Sequence, residues 1–263
     1  MKDIHPGLTS TNKFENQEHT ELFNQVIEKG YAFLETIIDS DFCKQLVDDL
    51  EILRGKFPYN IEKNNLFKGV FRSPFIFFNS YRDLALIEEL KKYLNEFFPN
   101  NYQLHLNRCV ESRPSQNAST NELHRDIPYL HTPSKYPISL SVLTFLDDYS
   151  DRQISIYEGS HNQYFYNLEE AKEIKLNPKA GQSLIFDSNL IHNTHPTNKA
   201  IKYNLFMFTS PIIKPIVEYS SPNIFLKISE NKHRYDEILE IIGYRFAVPK
   251  DDFEYLNPKL NDL

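Results

Sequence analysis

Ser139–Leu146 (SLSVLTFL) is the clearest strand signal in the chain, and the turn signal Asp147-Asp148 follows it directly. Other short strand-like runs surround it, separated by turn signals such as Glu158-Gly159-Ser160 and Lys179-Ala180-Gly181. These runs are Tyr102–Val110, Gln153–Tyr157, Ser183–Phe186 and Tyr203–Thr209. Many short strands in succession predict a β-sandwich or a jelly roll.

Helical patterns flank this strand-rich middle. The predicted helices are His19–Lys29, Asp41–Arg54, Arg82–Phe97 and, near the end, His233–Ile242. Gly30 is expected to end the first helix, and Ser40 to cap the second. A strand is predicted between them at Tyr31–Ile38. The apolar stripes of the second and third helices indicate that both pack against a sheet.

The 263 residues show no internal repeat and no linker. We therefore predict a single domain over residues 1–263, mainly β with flanking helices. It would comprise a helical front at about 17–98, a jelly-roll core at about 102–210 and a helical tail at about 223–263.

Composition excludes several classes of function. The net charge of -7 argues against nucleic acid, because phosphate binding needs a basic face. No apolar run is long enough to span a membrane, and Met1–Ser10 lacks the apolar core of a signal peptide. Cys43 and Cys109 lack the CxxC spacing of a zinc ribbon. We expect a reduced, cytoplasmic protein without a membrane or nucleic-acid partner.

The first candidate site is the segment His124-Arg125-Asp126. Residues two apart in a strand point to the same face, so His124 and Asp126 would project together. One imidazole and one carboxylate are two of the three ligands in the two-histidine-one-carboxylate site of non-haem iron oxygenases. The competing pair His19 and Glu21 lies in a predicted helix, where such side chains diverge.

A second histidine can complete the site. His192 follows the predicted strand Ser183–Phe186 closely, so a sheet that folds back would bring it to the first pair. His195 is a rival ligand three residues farther on, although Pro196 indicates that it lies in a loop. The sequence favours His192 and leaves His195 open.

Lys202 lies at the start of the next predicted strand. An iron with three protein ligands keeps three open positions, of which a 2-oxo acid can occupy two and O₂ the third. The far carboxylate of such an acid needs a cation inside the barrel. Lys202 is our candidate for that cation.

Taken together, these segments resemble the phytanoyl-CoA dioxygenase family of Fe(II)/2-oxoglutarate oxygenases. The resemblance spans roughly residues 31–210 and is clearest over 123–210. The segments that carry it are Leu123–Ile127 (LHRDI), Leu143–Asp148 (LTFLDD), Ile154–His161 (ISIYEGSH), Gly181–Asp187 (GQSLIFD) and His192.

The resemblance implies a double-stranded β-helix, the jelly roll of cupin-like proteins. It also implies an enzyme that uses Fe(II), 2-oxoglutarate and O₂ to hydroxylate a small-molecule substrate, with release of succinate and CO₂. The implied iron ligands are His124, Asp126 and His192, and the implied 2-oxoglutarate contacts are Thr194 and Lys202. Asn107, on the strand that precedes the iron pair, is a further candidate contact.

Two departures from the family pattern are visible. The family's cation is normally arginine and lies one residue farther from the distal histidine than Lys202, which we interpret as a shortened loop. Glu158 replaces a proline of the family turn. The lysine leaves two alternatives open: a jelly-roll binding protein with a vestigial metal site, and a cupin-type metalloenzyme that does not use 2-oxoglutarate.

The substrate and the oligomeric state have no signal in the sequence. Residues that select a substrate are expected in loops such as Tyr129–Tyr136, where no motif occurs.

Overall fold

Two antiparallel sheets face each other and form the centre of the fold. The computed structural model describes residues 20–34, 36–56, 70–72, 74–99, 102–112, 122–126, 136–148, 154–163, 165–195 and 201–210. The predicted helix His233–Ile242 and most of the loop Tyr129–Tyr136 lie outside these residues.

The larger sheet has six strands in the order β1-β7-β4-β9-β3-β2, and the smaller has three in the order β6-β5-β8. The strands are β1 (Tyr31–Leu34), β2 (Val70–Arg72), β3 (Gln103–Ser112), β4 (Ser139–Phe145), β5 (Ile154–Tyr157), β6 (Glu173–Leu176), β7 (Ser183–Asp187), β8 (His192–Thr194) and β9 (Ile201–Thr209). A single bridge between His124 and His192 adds one more segment to the smaller sheet beside β8. This topology confirms the predicted double-stranded β-helix.

Five α-helices are described, all before β3 in the chain. They are α1 (Glu21–Lys29), α2 (Ser40–Lys56), α3 (Pro74–Phe77), α4 (Asn79–Ala85) and α5 (Glu88–Phe97). Helices contact the outer face of the large sheet: for example, the Phe75 amide donates to Asn107 Oδ1 of β3, and Glu51 of α2 lies 3.9 Å from Lys202 Nζ of β9. No helix in the described ranges has the length and apolar character needed to cross a membrane.

The direction in which each strand residue faces follows from the strand pairing. Ser141 Oγ donates to Asp126 Oδ2, so the face of β4 that carries Ser141 points towards the smaller sheet. Residues directly opposite each other in antiparallel strands share a face. Met207 of β9 lies opposite Ser141 and also opposite Leu106 of β3, so these three residues form one inward-facing row.

A β-bulge in β3 shifts this alternation. Leu104 pairs with Phe208 and Leu106 pairs with Met207, which leaves His105 as an extra residue. An extra residue reverses the phase of a strand beyond it. Asn107 therefore faces outwards with Leu104, and not inwards with Gln103 as simple alternation predicts.

Gly30 ends α1 as predicted, and the tertiary structure adds a second requirement for it. Its φ of 92° is left-handed, and its N–H donates to the Val26 carbonyl. A Cβ there would lie 2.5 Å from His161 Nδ1 and 2.5 Å from Leu190 Cδ1. Glycine therefore permits both the helix end and the close packing of the loop before β8.

Other boundaries differ from prediction. Asp39 caps α2, accepting from the Phe42 amide at 2.8 Å, whereas Ser40 is already the first helical residue. The predicted helix Arg82–Phe97 is two helices, because α4 ends at Ala85 and α5 begins at Glu88. The predicted strand Tyr31–Ile38 ends at Leu34 in the structure.

Candidate metal centre

Three side chains from two chain segments meet between the sheets. His124 and Asp126 lie on a segment with a single β-bridge, and not on the regular strand predicted from their spacing. His192 is the first residue of β8. The His124 and His192 backbones exchange hydrogen bonds of 3.0 and 3.1 Å, and the Asp126 amide donates to the Ser188 carbonyl. These backbone contacts bring the segments together.

The donor atoms converge on one point. Asp126 Oδ1 lies 3.8 Å from His124 Nε2 and 3.7 Å from His192 Nε2. Bonds of about 2.1 Å to a first-row metal let one ion reach two donors up to roughly 4 Å apart. Within the described part of the chain, this is the one group of three metal-ligating side chains whose donor atoms all lie within 4.8 Å of one another.

Backbone carbonyls orient both imidazoles for metal binding. His124 Nδ1 lies 2.8 Å from the Glu122 carbonyl, and His192 Nδ1 lies 2.9 Å from the Leu190 carbonyl. A carbonyl accepts only, so each Nδ1 carries the proton and each Nε2 presents its lone pair. Such partners fix the tautomer and ring orientation of metal-binding histidines. The residues present therefore fit a metal ion such as Fe(II).

Burial keeps His192 in its metal-binding form. Its side chain is nearly inaccessible, and the edge of Phe186 packs against the ring at a centroid distance of 4.8 Å. Burial lowers the pKa of His192, Asp126 works in the opposite direction, and His124 lowers it further. The neutral imidazole is the form that coordinates a metal.

A chain of buried serines holds the carboxylate. Ser141 Oγ donates to Asp126 Oδ2 at 2.6 Å, Ser188 Oγ lies 2.9 Å from Ser141 Oγ, and Ser139 Oγ lies 2.8 Å from Ser188 Oγ. Because Oδ2 is engaged by Ser141, Oδ1 is the oxygen directed at the two imidazoles. The arrangement favours a carboxylate that binds metal through one oxygen.

Replacing Ser141 with alanine is expected to weaken metal binding by roughly 10- to 100-fold, the usual effect of losing a hydrogen bond to a metal ligand. Calorimetric titration with Co(II) under anaerobic conditions measures this change. Thr144→Val is the matched control, because Thr144 is a buried hydroxyl residue of the same strand that bonds to Ser183, away from the triad. Equal affinities for the wild type and the Ser141 variant would contradict the prediction.

The structure separates the two rival histidines. His195 Nε2 lies 2.6 Å from Ser155 Oγ, which also donates to Glu173 Oε1. Ser155 pairs with Asn193 whereas Ile156 pairs with His192, so Ser155 and His192 face opposite sides of the small sheet. His195 is thus bonded on the outer side, and only His192 reaches Asp126.

Thr194 lies two residues beyond His192 on β8 and shares its face. It is buried and pairs with Ile154 of β5. Its position on the inner side leaves it a candidate for contact with a co-substrate.

Lys202 and Asn107 do not face the triad. Lys202 pairs with Glu111, its Nζ lies near Glu51 of α2, and its side chain is 16% exposed. Asn107 accepts from the Phe75 amide, and its side-chain nitrogen donates to Asn204 Oδ1 and to the Leu205 carbonyl. Both residues belong to the outer, helix-covered face of the large sheet, which does not support their assignment as 2-oxoglutarate contacts.

The pairing identifies two inward-facing residues that the sequence reading missed. Tyr203 comes one residue after Lys202 and lies opposite Phe145 on the inner face. Arg108 of β3 lies opposite Leu205, which in turn lies opposite Leu143, two residues from Ser141 on β4. Arg108 therefore supplies a cation on the inner face. Simple alternation from Gln103 would turn Arg108 outwards, so it is the bulge at His105, seen in the strand pairing, that reveals its inward position.

Several solved structures share this fold at low sequence identity. The carbocyclase SnoK of nogalamycin biosynthesis, described as α-ketoglutarate dependent, has a TM-score of 0.61 and 13% identity, over 75% of this chain and 86% of its own. The epimerase SnoN of the same biosynthesis has a TM-score of 0.58 and 12% identity, over 77% and 84%. HygX from Streptomyces hygroscopicus, solved with nickel and 2-oxoglutarate bound, has a TM-score of 0.58 and 14% identity, over 73% and 87%.

At the level of sequence, comparison with curated proteins gives no significant match. A model of the phytanoyl-CoA dioxygenase (PhyH) family, however, matches residues 28–202. The match runs from the end of α1 to the start of β9 and includes all three converging side chains, so the chain belongs to the phytanoyl-CoA dioxygenase family.

Proposed function

We propose that this protein is an Fe(II)- and 2-oxoglutarate-dependent oxygenase that acts on a small molecule. The observation that carries the proposal is the convergence of His124 Nε2, His192 Nε2 and Asp126 Oδ1, each with its other polar atom held by the protein. Two histidines and one carboxylate suit ferrous iron and leave open positions for a chelating co-substrate and O₂. The family membership and the ligands named for the structural neighbours point to the same co-substrate.

When bound, iron would supply the redox chemistry that couples decarboxylation of 2-oxoglutarate to oxidation of the substrate. The balance is one substrate C–H, one 2-oxoglutarate and one O₂ giving one C–OH, one succinate and one CO₂. The residues of this chain hold the ligand atoms in place and limit access of water. Phe186 covers one side of His192, and the buried Ile154 and Ile156 face inwards beside it from β5.

The far carboxylate of 2-oxoglutarate needs a cation on the inner face, and Arg108 is our candidate. It lies one row beyond the Ser141 row, in the direction of Tyr203, on the same inner face. A guanidinium can bind a carboxylate through two parallel hydrogen bonds. Thr194, on the face of His192, is proposed as the hydroxyl contact of the same co-substrate. Lys202 and Asn107 are not part of this proposal.

Hydroxylation is the outcome we propose for the substrate. Asp126 supplies a carboxylate ligand where related halogenases have a small residue that admits chloride. The neighbours include an epimerase and a carbocyclase, so the same barrel also serves other outcomes. A substrate that gains one labelled oxygen atom under labelled O₂ would support hydroxylation, whereas loss of hydrogen without gain of oxygen would contradict it.

One experiment tests the proposal as a whole. Adding Fe(II) and 2-oxoglutarate without O₂ is expected to produce a weak visible absorption band, and admitting O₂ is expected to release succinate. Neither signal should appear with Asp126→Ala. Tight metal binding without any consumption of 2-oxoglutarate would overturn the proposal and favour a metalloenzyme of the same barrel that uses no 2-oxo acid.

A further inference from the structure

Arg125 lies between two candidate metal ligands, yet its side chain turns away from the metal position. Its Nη1 donates to the Ser160 carbonyl at 3.0 Å and to the Asn189 carbonyl, and its Nη2 donates to the Gln163 carbonyl at 3.2 Å. A charged donor makes hydrogen bonds roughly twice as strong as neutral ones. One guanidinium thus joins three carbonyl groups from two separate parts of the chain, the turn at residues 160–163 and the turn at Asn189.

Both parts of the chain contact the residues just before the distal histidine, His192. Asn189 lies in the turn whose next residue, Leu190, orients His192 through its carbonyl. The Ser160 hydroxyl accepts from the Ile191 amide at 2.8 Å, so the turn at Ser160 also contacts the chain just before His192. Arg125 therefore ties the His124 segment to both structures that hold His192.

The backbone alone holds these segments weakly. The segment around His124 makes one β-bridge with β8, and three backbone hydrogen bonds join it to residues 188–192. The side chain of Arg125 reaches residues 188–192 at Asn189, which is next to the bond that Asp126 makes at Ser188. It adds one charge-assisted bond to this contact, which has no extended strand ladder, and two more bonds to the turn at residues 160–163.

We propose that Arg125 is a positioning residue of the metal centre. It fixes the separation between the His124–Asp126 pair and His192 before a metal binds, and so raises metal affinity without contacting the metal. The inference rests on the proposed function only in requiring a metal at the triad. Arg125→Met removes the donors but keeps an unbranched side chain, and Arg125→Lys keeps the charge but cannot reach three carbonyls in one plane.

The test is a titration of the whole protein with Co(II) in the absence of O₂. Calorimetry measures the affinity, and the visible absorption spectrum of the bound Co(II) reports its coordination geometry. Arg125→Met is expected to lower Co(II) affinity by roughly 10- to 100-fold and to change the spectrum, with Arg125→Lys between it and the wild type. Arg125→Gly should recover part of its affinity when guanidinium is added at millimolar concentration.

Arg82→Met is the matched control, because Arg82 is a buried arginine of α4 that also donates to a backbone carbonyl, that of Phe75. It should lower thermal stability without changing Co(II) affinity. Wild-type affinity and spectrum in folded Arg125→Met and Arg125→Lys would overturn the inference, as would an equal loss of affinity in Arg82→Met. A wild type that binds no Co(II) would overturn the metal centre itself, which is a distinct result.

Discussion

Replacing His192 with alanine is expected to reduce metal affinity by more than 100-fold and to bring 2-oxoglutarate turnover below detection. The loss exceeds the 10- to 100-fold typical of residues that only hydrogen-bond to a metal ligand, because His192 is one of the three ligands that we propose among the described residues. A water molecule in its place would lack the fixed orientation that the Leu190 carbonyl gives the imidazole. Co(II) titration and succinate release measure the two effects.

His195→Ala is the matched control for this prediction. It removes the same side chain three residues away, where the imidazole bonds to Ser155 on the outer side of the small sheet. Its metal affinity and turnover should stay within about twofold of the wild type. If His195→Ala abolished binding and His192→Ala did not, the ligand set proposed for this protein would be wrong.

Exchanging Arg108 for methionine is expected to raise the apparent KM for 2-oxoglutarate by roughly 30-fold or more. Loss of one partner from a buried charged pair costs at least about 2 kcal/mol, which corresponds to that factor. Metal affinity measured without 2-oxoglutarate should change little, because Arg108 lies one row away from Ser141 and its metal-site partner Asp126. Steady-state kinetics and metal titration on the same sample separate the two quantities.

Lys202→Met is the control that decides between the sequence-based assignment and the structural one. Lys202 faces α2, and its nearest described acid is Glu51 at 3.9 Å, a half-exposed pair worth no more than about 1 kcal/mol. We therefore expect an unchanged KM and a small loss of thermal stability. A large rise in KM for Lys202→Met with none for Arg108→Met would restore Lys202 as the co-substrate cation.

Much of the architecture could be predicted from local patterns. The strand at Ser139–Leu146 and the helix end at Gly30 follow from side-chain type and backbone preference. Both properties depend on the local sequence and not on contacts with distant residues. The short strands β2, β6 and β8 were missed, since three or four residues give too little periodicity and their pairing partners lie far away in the chain.

The metal centre could be predicted from the sequence more completely than the co-substrate side of the barrel. His124 and Asp126 are two residues apart, so their chemistry is visible as a motif, although a single bridge and not a strand presents them. The assignment of Lys202 depended on a supposed shortened loop. The register of β9 against β4 shows that Tyr203, and not Lys202, faces the interior of the barrel.

The sequence by itself determined the type of fold, the family and the pair of candidate ligands at His124 and Asp126, because each shows as residue types and short patterns that can be recognised without knowing how the strands pair. Only the tertiary structure decided which side chains face the site. His192 faces Asp126, whereas His195 bonds to Ser155 on the other side of the small sheet. Asn107 faces outwards because His105 is an extra residue in β3. The physical reason is that side chains alternate with a period of two along a strand, so one bulge or one residue of register reverses the face of every residue beyond it.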